Sequence, residues 1–162
     1  MEIDRIHSVI FSYMNENYTT AIEECDRILE KNGTSYLGRL FRGFAYLKKG
    51  LYQDAINDLN EAETLRPKNV EKKLEPEEEY EEGEDDDDDN DKPKTKKKKK
   101  KDDIPKKVDN GYEVYFHRGM ARFYNENFKE AAADFHKALE FEGNTNEQKT
   151  NAEKWLNKAK LF

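Results

Sequence analysis

Residues 36–69 run YLGRLFRGFAYLKKGLYQDAINDLNEAETLRPKN, and this stretch decides the fold. Its first half carries apolar residues at spacings of three and four, namely Leu37, Leu40, Phe44 and Leu47. That spacing is typical of one face of an amphipathic helix. Gly50 then interrupts the pattern, and Pro67 ends a second apolar series because proline cannot continue a helix. The stretch therefore predicts two helices joined by a short turn.

The same design occurs twice more along the chain. Segments that begin at Tyr18, Tyr52 and Phe128 each open with an aromatic residue and place an alanine three residues later. The alanines, Ala21, Ala55 and Ala131, are separated by 34 and then by 76 residues. The second interval is the first plus 42, so an insertion of 42 residues hides a regular period. A repeat of this length predicts three stacked helical hairpins.

The central unit resembles the tetratricopeptide repeat. The residues that carry the resemblance are Gly43, Ala45, Tyr46, Tyr52, Ala55, Leu59, Ala62, Leu65 and Pro67. The third unit keeps Gly119, Phe128, Ala131, Phe135, Ala138 and Phe141, whereas the first unit keeps Tyr18 and Ala21. After Gly143, either Thr145 or Asn146 can cap a further helix that carries Trp155 and Leu156.

The resemblance implies an all-α fold, an α-solenoid of three helix-turn-helix units with a C-terminal capping helix. Residues 1–69 would hold repeats 1 and 2, at about 2–35 and 36–69. Residues 70–111 would form a disordered acidic and lysine-rich insert, and residues 112–162 would hold repeat 3, at about 112–145, and the capping helix. The insert carries 17 acidic and 12 basic residues, with too few apolar side chains to form a core.

Each charged block of the insert has several interpretations. The simplest is a solvated low-complexity spacer. The lysine tract at 94–101 is also typical of a nuclear-import signal or a non-specific phosphate contact. The acidic tract at 75–91 resembles that of histone chaperones built on interrupted tetratricopeptide repeats, which implies a nuclear protein that binds a basic partner. Here, however, the insert falls between hairpins, and its own lysines would compete for the carboxylates.

Composition excludes several classes of function. Outside the insert the chain has 17 basic and 19 acidic residues, so it lacks the basic field that sequence-specific nucleic-acid proteins use. No apolar stretch approaches the ~20 residues that a membrane span needs. A single cysteine, Cys25, excludes an intramolecular disulfide framework, and its helical position predicts a buried small side chain. We expect a cytoplasmic protein, with nuclear entry through the lysine tract as the alternative.

Catalytic constellations are sparse in this sequence. The only histidines are His7, His117 and His136, and none has metal-ligand spacing to Cys25. The glycines match no phosphate-binding loop. We therefore expect no enzyme activity, no cofactor and no metal.

The resemblance implies that the first helices of the hairpins line a concave groove. Its candidate peptide-binding residues are Ile6, Ile10, Tyr13, Leu40, Phe44, Leu47, Phe116, Met120 and Phe123. This apolar row predicts a protein partner, either an apolar helix or an extended segment, and the role of an adaptor, scaffold or assembly factor. The alternative for each residue is a place in the core between helices.

Some members of the family bind chaperone tails through a clamp of lysine, asparagine and arginine side chains, which hold two carboxylates. The matching positions in this chain are Ile6, Ile10, Phe41, Glu113 and His117. None of them supplies a permanent cation or an amide, so we expect no chaperone-tail carboxylate clamp.

Overall fold

The computed structural model describes residues 2–67 and 111–162, with side chains described from residue 4 onward. Seven α-helices lie in these ranges: α1 (Glu2–Met14), α2 (Tyr18–Lys31), α3 (Tyr36–Lys48), α4 (Tyr52–Leu65), α5 (Tyr112–Tyr124), α6 (Phe128–Leu139) and α7 (Asn146–Ala159). The described ranges contain no β-strand, which confirms the predicted all-α class. The predicted disordered insert lies outside the described residues, apart from Gly111 at its end.

The helices pack in the order of the chain. Helices α1 and α2, α3 and α4, and α5 and α6 form three hairpins, and α7 packs against α6. The first helices also contact one another, α1 with α3 and α3 with α5, and α5 in turn contacts α7. These contacts confirm the predicted array of three hairpins with a capping helix, and they place the first helices side by side along one face.

Each hairpin turn reverses the chain through one residue with positive φ. These residues are Glu16, Gly50 and Glu126, with φ values of 61°, 78° and 63°, and they occupy the same position of the repeat. In the central turn, the amide of Leu51 donates a hydrogen bond to the carbonyl of Tyr46 at 2.9 Å. This is the bond that closes a helix through a left-handed residue. Glutamate at this position is strained relative to glycine.

Two glycines allow the helices of a hairpin to cross closely. A Cβ atom on Gly43 would lie 2.8 Å from Cγ of Leu59, and one on Gly119 would lie 2.8 Å from Cε1 of Phe135. Both neighbouring side chains are fully buried, so neither can move aside without disturbing the core. Helices α3 and α4 therefore cross closely at Gly43, and α5 and α6 cross in the same way at Gly119.

Alanines let successive hairpins approach each other. Ala45 of α3 belongs to the same core cluster as Ala21 and Cys25 of α2, and Ala121 of α5 belongs to the same cluster as Ala55 of α4. Cys25 is fully buried, as its position in the sequence predicted. Burial raises the pKa of its thiol to about 12. A neutral thiol in this setting packs as a small apolar side chain.

The second and third hairpins each contain an arginine–aspartate ion pair at equivalent positions of the repeat. Nε of Arg42 donates to Oδ2 of Asp58 at 2.6 Å, and Nη2 donates to Oδ1 at 2.8 Å. Arg118 makes the same two bonds to Asp134, at 3.0 and 2.8 Å. Each arginine lies on the first helix of its hairpin and each aspartate on the second. The paired geometry fixes the guanidinium plane, as is typical of an arginine–carboxylate fork.

The remaining terminal nitrogen of each arginine reaches the preceding hairpin. Nη1 of Arg42 donates to Oδ1 of Asp26 at 2.7 Å, and Nη1 of Arg118 donates to Oδ1 of Asn60 at 2.9 Å. Glu63, also on α4, accepts a further bond from Arg118. We call these contacts the arginine relay. It links each hairpin to the one before it.

The capping helix begins at a defined cap. The hydroxyl oxygen of Thr145 accepts a bond from the amide of Gln148 at 3.2 Å, and the side chain of Gln148 accepts from the amide of Thr145 at 2.9 Å. This reciprocal pair is a capping box. Leu156 and Ala159 then belong to one core cluster with Phe123, Ala131 and Phe135 of the third hairpin. The helix predicted after Gly143 is therefore confirmed, with Thr145 as its cap.

Candidate functional site

The nine residues predicted to line a groove divide into two sets. Five of them are buried and belong to the core: Ile6, Leu40, Phe44, Leu47 and Phe123. Four are partly exposed: Ile10, Tyr13, Phe116 and Met120. The buried side chains pack between helices, although one of them, Leu47, also lines the pocket described next. A peptide-binding role stays a prediction for all nine residues.

A pocket lies where the carboxyl ends of the first helices meet. It has a volume of about 360 Å³ and is lined by Tyr13, Leu47, Lys48, Tyr52, His117, Met120 and Tyr124. We call it the concave pocket. Its residues come from α1, α3, α4 and α5, so it depends on all three hairpins being stacked. Two of the predicted partly exposed residues, Tyr13 and Met120, lie in its wall.

Aromatic rings continue from the concave pocket onto the capping helix. Tyr52 stacks on Tyr124 with ring centroids 5.4 Å apart and planes at 17°. Tyr124 meets Trp155 edge to face at 5.8 Å. Tyr124 is 45% exposed, although it contacts three other rings, those of Tyr52, Phe123 and Trp155. The row thus gives a rigid aromatic surface that spans the second hairpin, the third hairpin and α7.

Two lysines accompany this aromatic row. Lys48 lines the concave pocket, and Nζ of Lys158 lies 4.7 Å from the ring centroid of Trp155. Within residues 4–67 and 111–162, neither amine lies within ion-pair distance of a carboxylate. Among the residues that line the concave pocket, none is acidic. The pocket therefore has a mixed wall, in which aromatic and aliphatic side chains alternate with polar groups, and Lys48 supplies its positive charge.

His117 is held neutral beside the concave pocket. Its Nδ1 lies 2.8 Å from the carbonyl oxygen of Glu113, which only accepts, so Nδ1 donates the proton. Its ring packs on Phe44 with centroids 4.0 Å apart. Burial lowers the pKa of His117 to about 4. At neutral pH the imidazole therefore presents Nε2 as a hydrogen-bond acceptor.

Four residues of the concave pocket were absent from the predicted groove: Lys48, Tyr52, His117 and Tyr124. The repeat contains a signal for two of them, because Lys48 and Tyr124 are 76 residues apart and so occupy the same position of their units. Each directly follows a predicted groove residue. The arginine relay was also missed, although Arg42 and Arg118 have the same spacing, as do Asp58 and Asp134.

The positions that correspond to the chaperone-tail clamp hold residues other than lysine, asparagine and arginine, and these side chains make other contacts. Ile6 is buried, and Ile10 and Phe41 pack against the core of the first hairpin. Glu113 interacts with His117, with 3.3 Å between Oε2 and Nδ1. The expected absence of a carboxylate clamp stays a prediction based on these side chains.

Residues 4–67 and 111–162 bring together no group of three or more histidine, cysteine, aspartate or glutamate side chains suited to a metal ion. In the described ranges, no helix combines the length and the apolar character that a membrane crossing needs.

Comparisons with known proteins agree with this architecture. Family models described as tetratricopeptide repeat match residues 39–69 and 112–145. A stretch of 61 residues is 38% identical to the tetratricopeptide repeat and J domain-containing co-chaperone DNJ1 of Fusarium oxysporum f. sp. lycopersici. This stretch covers 38% of the chain and 12% of that protein. The chain therefore spans a small part of that curated relative.

Solved structures extend the likeness over nearly the whole chain. The Arabidopsis OM64 TPR domain has a TM-score of 0.63 at 22% identity, covering 97% of this chain and 94% of its own. The second TPR domain of human RPAP3, in complex with the HSP70 peptide SGPTIEEVD, has a TM-score of 0.60 at 21% identity, with coverage of 98% and 92%.

The first TPR of Spaghetti (RPAP3), bound to the HSP90 peptide SRMEEVD, has a TM-score of 0.65 at 17% identity, with coverage of 99% and 90%. These three likenesses establish the fold. Two matched repeats, three stacked hairpins and a capping helix together show that the chain belongs to the tetratricopeptide-repeat proteins.

Proposed function

We propose that this chain is a non-catalytic protein-interaction module, an adaptor, scaffold or assembly factor, that binds a largely apolar peptide or helix on its concave face. The observation that carries the proposal is the concave pocket, in which side chains from three hairpins form one open surface that combines tyrosine rings, Leu47 and Met120 with polar groups. Concave sites that combine apolar side chains with a few placed polar groups are typical of ligand binding.

Rigidity of the surface supports this function. Tyr124 is held by its ring contacts with Tyr52 and Trp155 and is still 45% exposed. An aromatic side chain fixed in this way loses little conformational entropy when a ligand binds. Contiguous exposed apolar surface on a folded protein commonly marks an interaction site.

Similar proteins support a peptide as the general class of partner, without specifying the chemistry of that peptide. The RPAP3 and Spaghetti domains were solved with HSP70 and HSP90 peptides, and the DNJ1 relative is a co-chaperone. We propose that this chain also binds a peptide, but without the carboxylate clamp. Ile6, Ile10 and Phe41 offer no hydrogen bond to a carboxylate at the clamp positions.

The test uses a displayed library of random peptides selected on the full chain. Selected peptides should bind the wild-type protein and lose most of their affinity for Met120→Glu and Tyr124→Glu, because a charge would replace apolar surface in the concave pocket. Leu161→Glu is the matched control, since Leu161 is 82% exposed and lies outside the pocket. Circular dichroism would show that each variant is folded. Equal loss in all three variants would refute the proposal.

Deletion of residues 70–110 tests the alternative function. If a histone-chaperone-like role through the acidic tract is correct, binding of a basic protein should disappear with the deletion and should weaken steeply with salt. If the proposed function is correct, the selected peptides should bind the deleted chain unchanged. The two results are independent, because they concern different ligands.

A further inference from the structure

We propose that Ser8 is a phosphorylation site whose phosphate is held by Arg5 and Arg27 in a pocket of the first hairpin. Four side chains line this pocket, Arg5 and Ser8 from α1 and Glu24 and Arg27 from α2. We call it the Ser8 pocket. It shares no residue with the concave pocket, so this inference goes beyond the proposed function and does not depend on it.

The Ser8 pocket lies where the other two hairpins hold an arginine of the arginine relay. Ser8 precedes Arg42 by 34 residues, and Arg118 follows Arg42 by 76, which are the two intervals that separate the repeats. Glu24 corresponds in the same way to Asp58. A hydroxyl therefore replaces a guanidinium beside the conserved position of the carboxylate. The space left open, about 170 Å³, is several times the ~30 Å³ that a water molecule occupies in the liquid, so a phosphoryl group can enter.

The hydroxyl of Ser8 is the one that an enzyme can reach. Its Oγ donates to Oε1 of Glu24 at 2.7 Å, and Oγ of Ser12 donates to Oε2 of the same carboxylate at 3.4 Å. Ser8 is exposed, whereas Ser12 is buried. Helix α1 packs against α2 and α3 at one end of the described stack, and local opening is easiest in such terminal elements.

Two arginines are placed to hold a phosphate on Ser8. Arg5 precedes Ser8 by three residues and so lies on the same face of α1, and Arg27 lines the pocket from α2. In the part of the chain that the structure describes, neither guanidinium has a carboxylate within ion-pair distance. A phosphate opposite an arginine cluster forms charge-assisted hydrogen bonds, which would give both side chains a partner.

The charge of the Ser8 pocket favours an anion over a second guanidinium. Two arginines against one glutamate give the lining side chains a net charge of +1. An arginine from a partner would raise this charge to +2, whereas a phosphate of about −2 would bring it to about −1. Glu24 repels the phosphate, so we expect its carboxylate to turn away from Ser8 and keep only its bond from Ser12.

The reaction exchanges one contact between α1 and α2 for another. A protein kinase transfers the γ-phosphoryl group of ATP to Oγ of Ser8. The bond from the γ-phosphorus to its bridging oxygen breaks, the bond from phosphorus to Oγ forms, ADP leaves with the bridging oxygen, and the hydroxyl proton is released. Oγ then has no proton to donate to Glu24, so ion pairs with Arg5 and Arg27 replace that hydrogen bond.

The first part of the test asks whether Ser8 accepts a phosphoryl group. The full chain is incubated with ATP and a panel of arginine-directed serine kinases, because the sequence RIHS places an arginine three residues before Ser8. Tandem mass spectrometry then compares Ser8 with Ser12, which is the matched control on the same helix. We expect phosphate on Ser8 and none on buried Ser12. An unmodified Ser8, or equal modification of both serines, would overturn the proposal.

The second part asks whether the arginines hold the phosphate. Phosphoserine is introduced at position 8 during translation, and phosphorus-31 NMR follows its titration near pH ~6. Arg5→Gln and Arg27→Gln should each raise the midpoint by roughly 0.3 pH units, because a positive neighbour favours the dianion. Glu24→Gln should lower the midpoint by a similar amount. Lys31→Gln is the matched control, since Lys31 is exposed on α2 outside the Ser8 pocket.

The midpoints decide between a held phosphate and a solvated one. If Arg5→Gln and Arg27→Gln move the midpoint no further than Lys31→Gln does, the arginines do not hold the phosphate and the proposal fails. Circular dichroism would show that each variant is folded. Peptide binding to Met120→Glu and Tyr124→Glu tests the concave pocket alone, so a failure of this proposal is distinct from a failure of the proposed function.

Discussion

Replacing Arg118 with methionine should strongly destabilise the protein, because Arg118 holds three elements together. It forms two hydrogen bonds to Asp134 on α6 and reaches Asn60 and Glu63 on α4. The side chain of Arg118 is 8% exposed and that of Asp134 is 4% exposed, so water cannot replace the lost bonds. Methionine has a similar length and keeps much of the packing.

The expected loss of unfolding free energy follows from the charge of Asp134, which stays buried without its main partner. Breaking a buried ion pair by removing one partner costs about 3–5 kcal/mol, since the other charge stays buried. Asp134 would keep one bond, from Nη1 of Arg122 at 2.8 Å, which places the expected loss of unfolding free energy near the lower end, about 3 kcal/mol. The contacts of α5 with Asn60 and Glu63 would be lost in addition.

Urea unfolding followed by far-ultraviolet circular dichroism measures this change. Arg27→Met is the matched control, because Arg27 is exposed on α2 and should change the unfolding free energy by less than about 0.5 kcal/mol. The double variant Arg118→Met, Asp134→Asn should lose less than the sum of the two single variants, because the buried charge is removed together with its partner.

Two outcomes would contradict this account of the arginine relay. The first is a loss of less than about 1 kcal/mol for Arg118→Met, which is the range of an exposed ion pair. The second is strict additivity in the double variant, which would mean that Arg118 and Asp134 do not stabilise the fold through each other.

Three further predictions concern single side chains. Gly119→Ala should lower the unfolding free energy by about 1–3 kcal/mol, because the new methyl would lie 2.8 Å from the buried ring of Phe135; an unchanged urea midpoint would refute the close crossing. The pKa of His117 is about 4 in the folded state and ~6.5 when unfolded, so stability should fall by roughly 2–3 kcal/mol as pH drops through this window. His117→Gln should remove that dependence, whereas the exposed control His7→Gln should keep it. Cys25 should react with a thiol reagent only after unfolding, since its thiol is fully buried and its pKa is raised to about 12; rapid labelling of the native chain would contradict this.

The repeat pattern was sufficient to predict the helices. Small residues are needed where the helices of a hairpin cross closely, as at Gly43, Gly119, Ala55 and Ala131. Their spacing in the sequence therefore indicates where the hairpins lie. The start of the capping helix was also visible in the sequence, because the hydroxyl that caps it belongs to the residue just before the helix.

The groove was harder to predict. Leu40 and Phe44 have the same chemistry as Met120, but the first two are buried between hairpins and the third faces the concave pocket. An apolar side chain on a first helix can either pack in the core or line the pocket. The spacing of apolar residues along the sequence is the same in both cases. Exposure depends on how far the neighbouring hairpins rotate against each other, and no local pattern records that rotation.

The sequence by itself determined the period of 34 residues, the three hairpins and the capping helix, because helix spacing, small residues at crossings and helix-ending residues are local properties of the chain. Only the tertiary structure decided which apolar residues remain open, that Lys48 and Tyr124 share a pocket with Tyr13, and that Arg118 joins two hairpins. These facts arise from contacts between residues far apart in the chain, and they depend on the angle at which one hairpin stacks on the next.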